Sequence, residues 1–212
     1  MPFEEAYQES IALARKTLAV LEPEPISIRT GGRWEGNARG EGILHLTFWA
    51  GECAIHFPEV KIEVITGPKT LKPTEQIVIL HYLIHSQGVP TTGNWITFRQ
   101  VPSGQFYYEP FVKRCIKPFT GLFGRQPEIL REFSKGLPTL SSIGLGDVSL
   151  VCRPLPNIPL AFVLWQGDDE FPAEGNILFD ETIPSFLPTE DIVVVTSILT
   201  YGLLARGRKL LE

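Results

Sequence analysis

The sequence predicts an α+β fold of antiparallel sheet packed with helices, and three observations carry that expectation. Strand-period runs come in pairs separated by turn residues. Helix-period runs with proline or acidic starts follow them. Two stretches also match each other: 48–52 (Phe-Trp-Ala-Gly-Glu) with 164–168 (Leu-Trp-Gln-Gly-Asp), and 73–78 (Pro-Thr-Glu-Gln-Ile-Val) with 188–193 (Pro-Thr-Glu-Asp-Ile-Val). From Trp49 to Thr74 is 25 positions, and from Trp165 to Thr189 is 24. Near-equal separation of two landmarks reads as two pseudo-symmetric hairpin–strand–helix repeats, at about 43–87 and 159–206, with an inserted segment at about 88–146. Repeated units of this kind bury their apolar faces against each other, so 1–212 is expected to form a single domain.

In chain order, residues 4–21 read as an amphipathic helix, with Tyr7, Ile11, Ala14, Leu18 and Leu21 on one stripe. Pro23 and Pro25 are expected to stop it. The five glycines of 29–42 suggest a loop. Leu44, Leu46 and Phe48 then alternate with His45, Thr47 and Trp49. A Gly51-Glu52 turn would set Ala50 against Cys53, Phe48 against Ile55 and Leu46 against Phe57, with every strong apolar residue on one face. Val60, Ile62 and Val64 suggest a third strand. Thr74 is the expected cap of a helix that ends near His85.

In the insert, 95–99 and 105–108 resemble a hairpin closed by 101–104. Helices are expected at 109–123, where Pro118 would kink the run, and at 127–136. Residues 141–146 form a small-residue loop and 147–153 a strand. In the second repeat a Gly167-Asp168 turn would set Leu164 against Phe171 and Phe162 against Ala173. A strand at 176–180 and a helix at 192–205 complete the chain.

Composition bounds the function. The net charge of −5 lacks the basic footprint of a nucleic-acid binder. The polar, acidic residues 1–10 do not resemble a secretory signal, and the apolar run 192–205 is too short to cross a bilayer. With three widely spaced cysteines, Cys53, Cys115 and Cys152, these features point to a cytoplasmic protein with reduced thiols and no membrane role. No Cys-x-x-Cys is present, so this chain alone is not expected to hold an iron–sulfur cluster.

Candidate sites are sparse. His81 and His85, four apart on a helix, could share a metal with a carboxylate of Asp168, Asp169 or Glu170. The plainer reading is two histidines at a polar helix edge. The 168–170 run could bind a hard cation or serve as turn residues. Trp49, Trp165, Trp95, Phe106, Tyr107 and Tyr108 could line a pocket or pack as core, and Asn94, Arg99, Lys113 and Arg114 could meet an anion. No glycine-rich phosphate loop and no Gly-x-Ser-x-Gly occurs.

Several stretches resemble an uncharacterised prokaryotic family, domain of unknown function 3786. They are 76–85, 91–99 (Thr-Thr-Gly-Asn-Trp-Ile-Thr-Phe-Arg), 159–172, 176–180 (Asn-Ile-Leu-Phe-Asp) and 187–191 (Leu-Pro-Thr-Glu-Asp), the last two being the most specific. The resemblance implies an anaerobic bacterial or archaeal setting and no particular activity. Some relatives carry a four-cysteine iron–sulfur segment that this sequence lacks.

The expected function is a non-catalytic accessory protein that binds a small ligand, cofactor or partner protein. Trp95, Arg99, Tyr107, Trp165, Asp168, Asp169 and Glu170 are the candidate ligand-binding residues. The alternative is a metal-dependent enzyme built on His81 and His85. The sequence leaves the oligomeric state open.

Overall fold

A computed structural model describes residues 2–49, 51–67, 69–136 and 142–211. It is an α+β protein with two four-stranded antiparallel sheets packed with helices. Ala50, expected opposite Cys53, and Ser141, expected to open a small-residue loop, lie outside the described residues.

Helix α1 (Pro2–Ala19) buries Ile11, Ala14 and Leu18 of the predicted stripe. Pro23 and Pro25 do not end in loop. Pro23 occupies the first turn of α2 (Pro23–Thr30), where its missing N–H costs nothing, and Gly31 closes that helix at φ 70°. A short strand β1 (Arg33–Gly36) follows within the supposed loop.

The first sheet runs β1-β2-β3-β4, with β2 at Gly42–Phe48, β3 at Gly51–Phe57 and β4 at Lys61–Thr66. The hairpin turns between Phe48 and Gly51, not at Gly51-Glu52, which already lie in β3. Phe48 pairs with Gly51, Leu46 with Cys53 and Leu44 with Ile55. An even displacement of register leaves every side chain on its predicted face, so Leu44, Leu46, Phe48, Cys53, Ile55 and Phe57 are all buried. Gly51 is needed inside the strand because a Cβ there would sit 2.2 Å from the Thr66 carbonyl oxygen.

Helix α3 (Pro73–His85) buries five of its six residues from Val78 to Leu83, leaving His81 partly exposed. Its flanking residue is Lys72 rather than Thr74. The Glu75 carboxylate accepts the Lys72 N–H at 2.7 Å. The Tyr82 hydroxyl donates to the Thr30 carbonyl at 2.8 Å and accepts from the Asn157 N–H at 3.3 Å, tying α3 to α2 and to the turn of the second sheet.

The second sheet runs β5-β8-β7-β6. Strand β5 (Trp95–Thr97) pairs with β8 (Glu174–Asp180), not with 105–108, so the predicted inserted hairpin is absent. Residues 104–123 form one nearly continuous helical run instead: α4 (Gly104–Phe111), a π-helical turn (Val112–Ile116) and α5 (Lys117–Phe123). The Val-Pro-Ser-Gly sequence that resembled a hairpin turn is a turn into a helix, with Ser103 at φ 60°. Pro110 and Pro118 remove two helical donors, and the ladder widens between them. The Lys117 N–H reaches the Val112 carbonyl, five residues back. Helix α6 (Pro127–Gly136) matches its predicted bounds.

Strands β6 (Val148–Leu155) and β7 (Ile158–Trp165) form a hairpin. Central β7 is buried on both faces from Ile158 to Leu164, Val163 included. Residues 166–173 form a loop. Leu164 pairs with Gly175 and Phe162 with Ile177, not with Phe171 and Ala173. The predicted strand at 176–180 is therefore the hairpin partner itself. Gly51 and Glu52 lie in a strand while their sequence counterparts Gly167 and Asp168 lie in a loop, whereas 73–78 and 188–193 both open helices, so the matched motifs agree at the helix starts and diverge at the turns.

The long helix α7 (Thr189–Lys209) packs against α3, α4 and α5. The Phe98 ring stacks on Phe111 at 4.2 Å, and Phe119 meets Phe162 edge-on at 5.3 Å, which fixes the 104–123 run on the second sheet. Among the described residues no helix is long and apolar enough to cross a membrane.

Candidate functional site

The helical face holds three adjoining cavities that share one side chain, Arg114. Arg114 projects from the π-helical turn as an exposed side chain. A wider turn aims a side chain differently from a regular helix, which is why such turns recur at functional sites.

The first cavity, of about 900 Å³, lies between α1, the start of α3 and α7 and is lined by Tyr7, Trp49, Lys72, Arg114, Tyr201 and Arg206, among others. Trp49 reaches it from the β2–β3 turn. Its φ of 54° is unusual for a bulky residue, and its N–H donates to the Pro154 carbonyl at 2.7 Å. The indole lies on α7 at Gly202, where a Cβ would come within 3.0 Å of Nε1. The Arg206 guanidinium sits 5.2 Å from the ring centre. A glycine inside a helix costs about 1 kcal/mol relative to alanine, and here it makes room for Trp49.

The second cavity, of about 1040 Å³, shares Arg114 and Tyr201 with the first and adds Arg99, Lys113 and Lys117, with Glu109 as its one carboxylate. The Arg99 guanidinium lies 3.9 Å over the Tyr108 ring. Among the described residues none of Arg99, Lys113, Arg114, Lys117 or Arg206 lies within ion-pairing distance of a carboxylate. On a chain of net charge −5 this is a concentrated positive field.

The third cavity, of about 420 Å³, is lined by Tyr7, His81, Tyr107, Arg114, Glu190 and Asp191, among others. His81 Nδ1 lies 2.7 Å from an Asp191 carboxylate oxygen, and the Asp191 side chain is only 9% exposed. The Tyr107 hydroxyl donates to Glu190, a bond that holds its pKa above the ordinary tyrosine value. The His85 ring meets His81 edge-on at 5.8 Å, and burial, reinforced by His81, lowers the His85 pKa. No group of three His, Cys, Asp or Glu side chains among the described residues converges as a metal site would require.

Of the seven predicted ligand-binding residues, Arg99 lines the second cavity and Tyr107 the third. Trp95 lies half-buried in β5, with its backbone opposite Asp180. Trp165 ends β7 at 43% exposure, beside the exposed Asp168, Asp169 and Glu170. These five line none of the three cavities. The Asp168 carboxylate accepts the N–H groups of Phe171 and Glu170, which lower its pKa, so the acidic turn caps itself. The carboxylate that reaches His81 comes from Asp191 and not from residues 168–170.

Tyr201, Gly202, Arg206 and Asp191 were not foreseen. A glycine within the apolar helical run was the available signal for Gly202; the others needed the tertiary fold. Asp180, which closes the 176–180 motif, is structural. Burial alone would raise its pKa, but donors from Thr182, Gly93 and Thr92 outweigh burial and lower it.

The thiols offer no nucleophile. Burial, aided by Glu52 and Glu75, pushes Cys53 up to about 11. Burial pushes Cys115 and Cys152 up to about 12.

No curated protein and no solved structure matches the chain. A family model described as a domain of unknown function, DUF3786, matches residues 22–201, and the chain therefore belongs to the DUF3786 family.

Proposed function

We propose that this protein is a cytoplasmic accessory protein that binds an anionic small molecule in the cleft around Arg114, without transforming it. One observation carries the reading: Arg99, Lys113, Arg114 and Lys117 line one cavity without carboxylate partners, on a chain that is acidic as a whole. Four like charges repel each other and are costly to gather unless an anion offsets them. The family resemblance supports an anaerobic prokaryotic setting, and three buried free thiols suit a reducing compartment. The test is thermal unfolding with millimolar pyrophosphate at low and high salt. Pyrophosphate should raise the melting temperature at low salt and lose most of that effect near 0.5 M sodium chloride, as an exposed ionic site requires. No shift at low salt would refute the reading.

A second reading, a metal-dependent enzyme, draws on the His81–His85 ring contact and on the carboxylate that orients His81. A carboxylate on Nδ1 leaves Nε2 available to a metal. Titration with Co²⁺, read by its visible spectrum, would show His-dependent bands that vanish in His81→Ala.

A further inference from the structure

We infer that the ligand is an aromatic heterocycle joined to its anionic group, a mononucleotide-like molecule and not a bare oxyanion. This rests on the anion-binding reading and adds the class of ligand.

The two larger cavities share Arg114 and Tyr201, and each sets cations beside rings in different proportion. The arm richer in cations holds Arg99, Lys113 and Lys117, with the Tyr108 ring beneath Arg99. The arm richer in rings holds Trp49 and Tyr7 with Lys72, Glu75 and Arg206, the last over the indole. Tyr201 is 55% exposed, a large ring left open to solvent where the arms join. Its neighbour Gly202 lets Trp49 seat against the same helix, so the aromatic arm depends on a glycine that helix propensity disfavours.

A bare oxyanion would use the cationic arm and leave the rings idle. An uncharged ring would do the reverse. Each arm also exceeds what an inorganic anion fills, since cavities of about 300–1,000 Å³ suit drug-sized ligands. A molecule with an anionic group at one end and a planar ring at the other uses both arms, and aromatic side chains stack on any heterocycle with little regard to its identity. Extended single-stranded nucleic acid uses the same chemistry, but the net charge of −5 opposes a long polyanion outside the cleft.

The experiment is isothermal titration of the full chain with pyrophosphate, ribose 5-phosphate, adenosine 5′-monophosphate, flavin mononucleotide and a hexathymidylate. At least one mononucleotide should bind ten-fold or more tightly than ribose 5-phosphate. Tyr201→Leu, a substitution at an exposed position, should erase that advantage by lowering mononucleotide affinity far more than ribose 5-phosphate affinity, and Tyr201→Phe, which keeps the ring, should retain it. Equal losses for both ligands in Tyr201→Leu would overturn the inference. If pyrophosphate and ribose 5-phosphate bind and neither mononucleotide improves on them, the aromatic inference falls and the anion reading stands. If none of the five binds, both fall. If hexathymidylate binds ten-fold or more tightly than either mononucleotide, the ligand is a nucleic-acid strand and the inference is overturned.

Discussion

The connections after β2 and β7 begin with nearly the same residues, Phe48-Trp49 and Leu164-Trp165, and the fold puts them to opposite uses. In the first, Phe48 pairs directly with Gly51, and Trp49 is turned into positive φ and laid on α7. In the second, the residues from 166 to 173 join the strands, and Trp165 ends its strand in register with Glu174, 43% exposed. The following acidic residues differ in the same way: Glu52 is a strand residue beside His45, while Asp168 caps its own loop. A short sequence match fixes local composition. Connection length and the neighbouring helix decide what the matched tryptophan does.

The largest effect is expected at Asp180, which ends β8, the strand that the second connection leads into. Asp180→Ala strands the Gly93, Thr92 and Thr182 donors and should cost about 3 kcal/mol in urea unfolding. The depressed native pKa sets the pH sense. The unfolded carboxyl titrates near about 3.9, so the contribution of Asp180 is present above that pH and is lost as pH falls through the lower native value. Wild-type stability should fall more steeply on acidification than that of Asp180→Asn.

Trp49→Ala should cost about 2 kcal/mol, and Trp165→Ala less than about 1 kcal/mol, in the same unfolding measurement. Equal costs would mean that the two tryptophans are equivalent after all. Gly202→Val should cost about 1–2 kcal/mol by crowding the Trp49 indole, which outweighs any gain in helix propensity. Trp49 fluorescence should shift along with it. Smallest in stability is Arg114→Ala: it should change unfolding by less than about 0.5 kcal/mol, because the side chain is exposed and unpaired.

Much of the fold was legible because its signals were local. The stripe Ile11, Ala14 and Leu18, the faces of Leu44, Leu46 and Phe48, and the bounds of α6 follow from periodicity alone. The exact registers were not, since an even displacement preserves both faces and the choice rests on the Thr66 carbonyl at Gly51, a tertiary contact. The insert misled because Val-Pro-Ser-Gly serves a hairpin or a helix start equally well, and the pairing of β5 with β8 spans some eighty residues. The site was legible only in fragments. Arg99, Lys113 and Arg114 were candidates for an anion, but their union with Tyr201, Arg206 and Trp49 depends on α7 lying against the 104–123 run.

The most direct test of the central claim is a calorimetric titration of pyrophosphate into three proteins: wild type, Arg114→Ala and the triple variant Asp168→Asn, Asp169→Asn, Glu170→Gln. The Arg114 cleft predicts that wild type and the triple variant bind alike and that Arg114→Ala loses about ten-fold or more in affinity, the scale of one charged hydrogen bond. Undiminished binding by Arg114→Ala, or a loss confined to the triple variant, would contradict it and move the site to the loop beside Trp165.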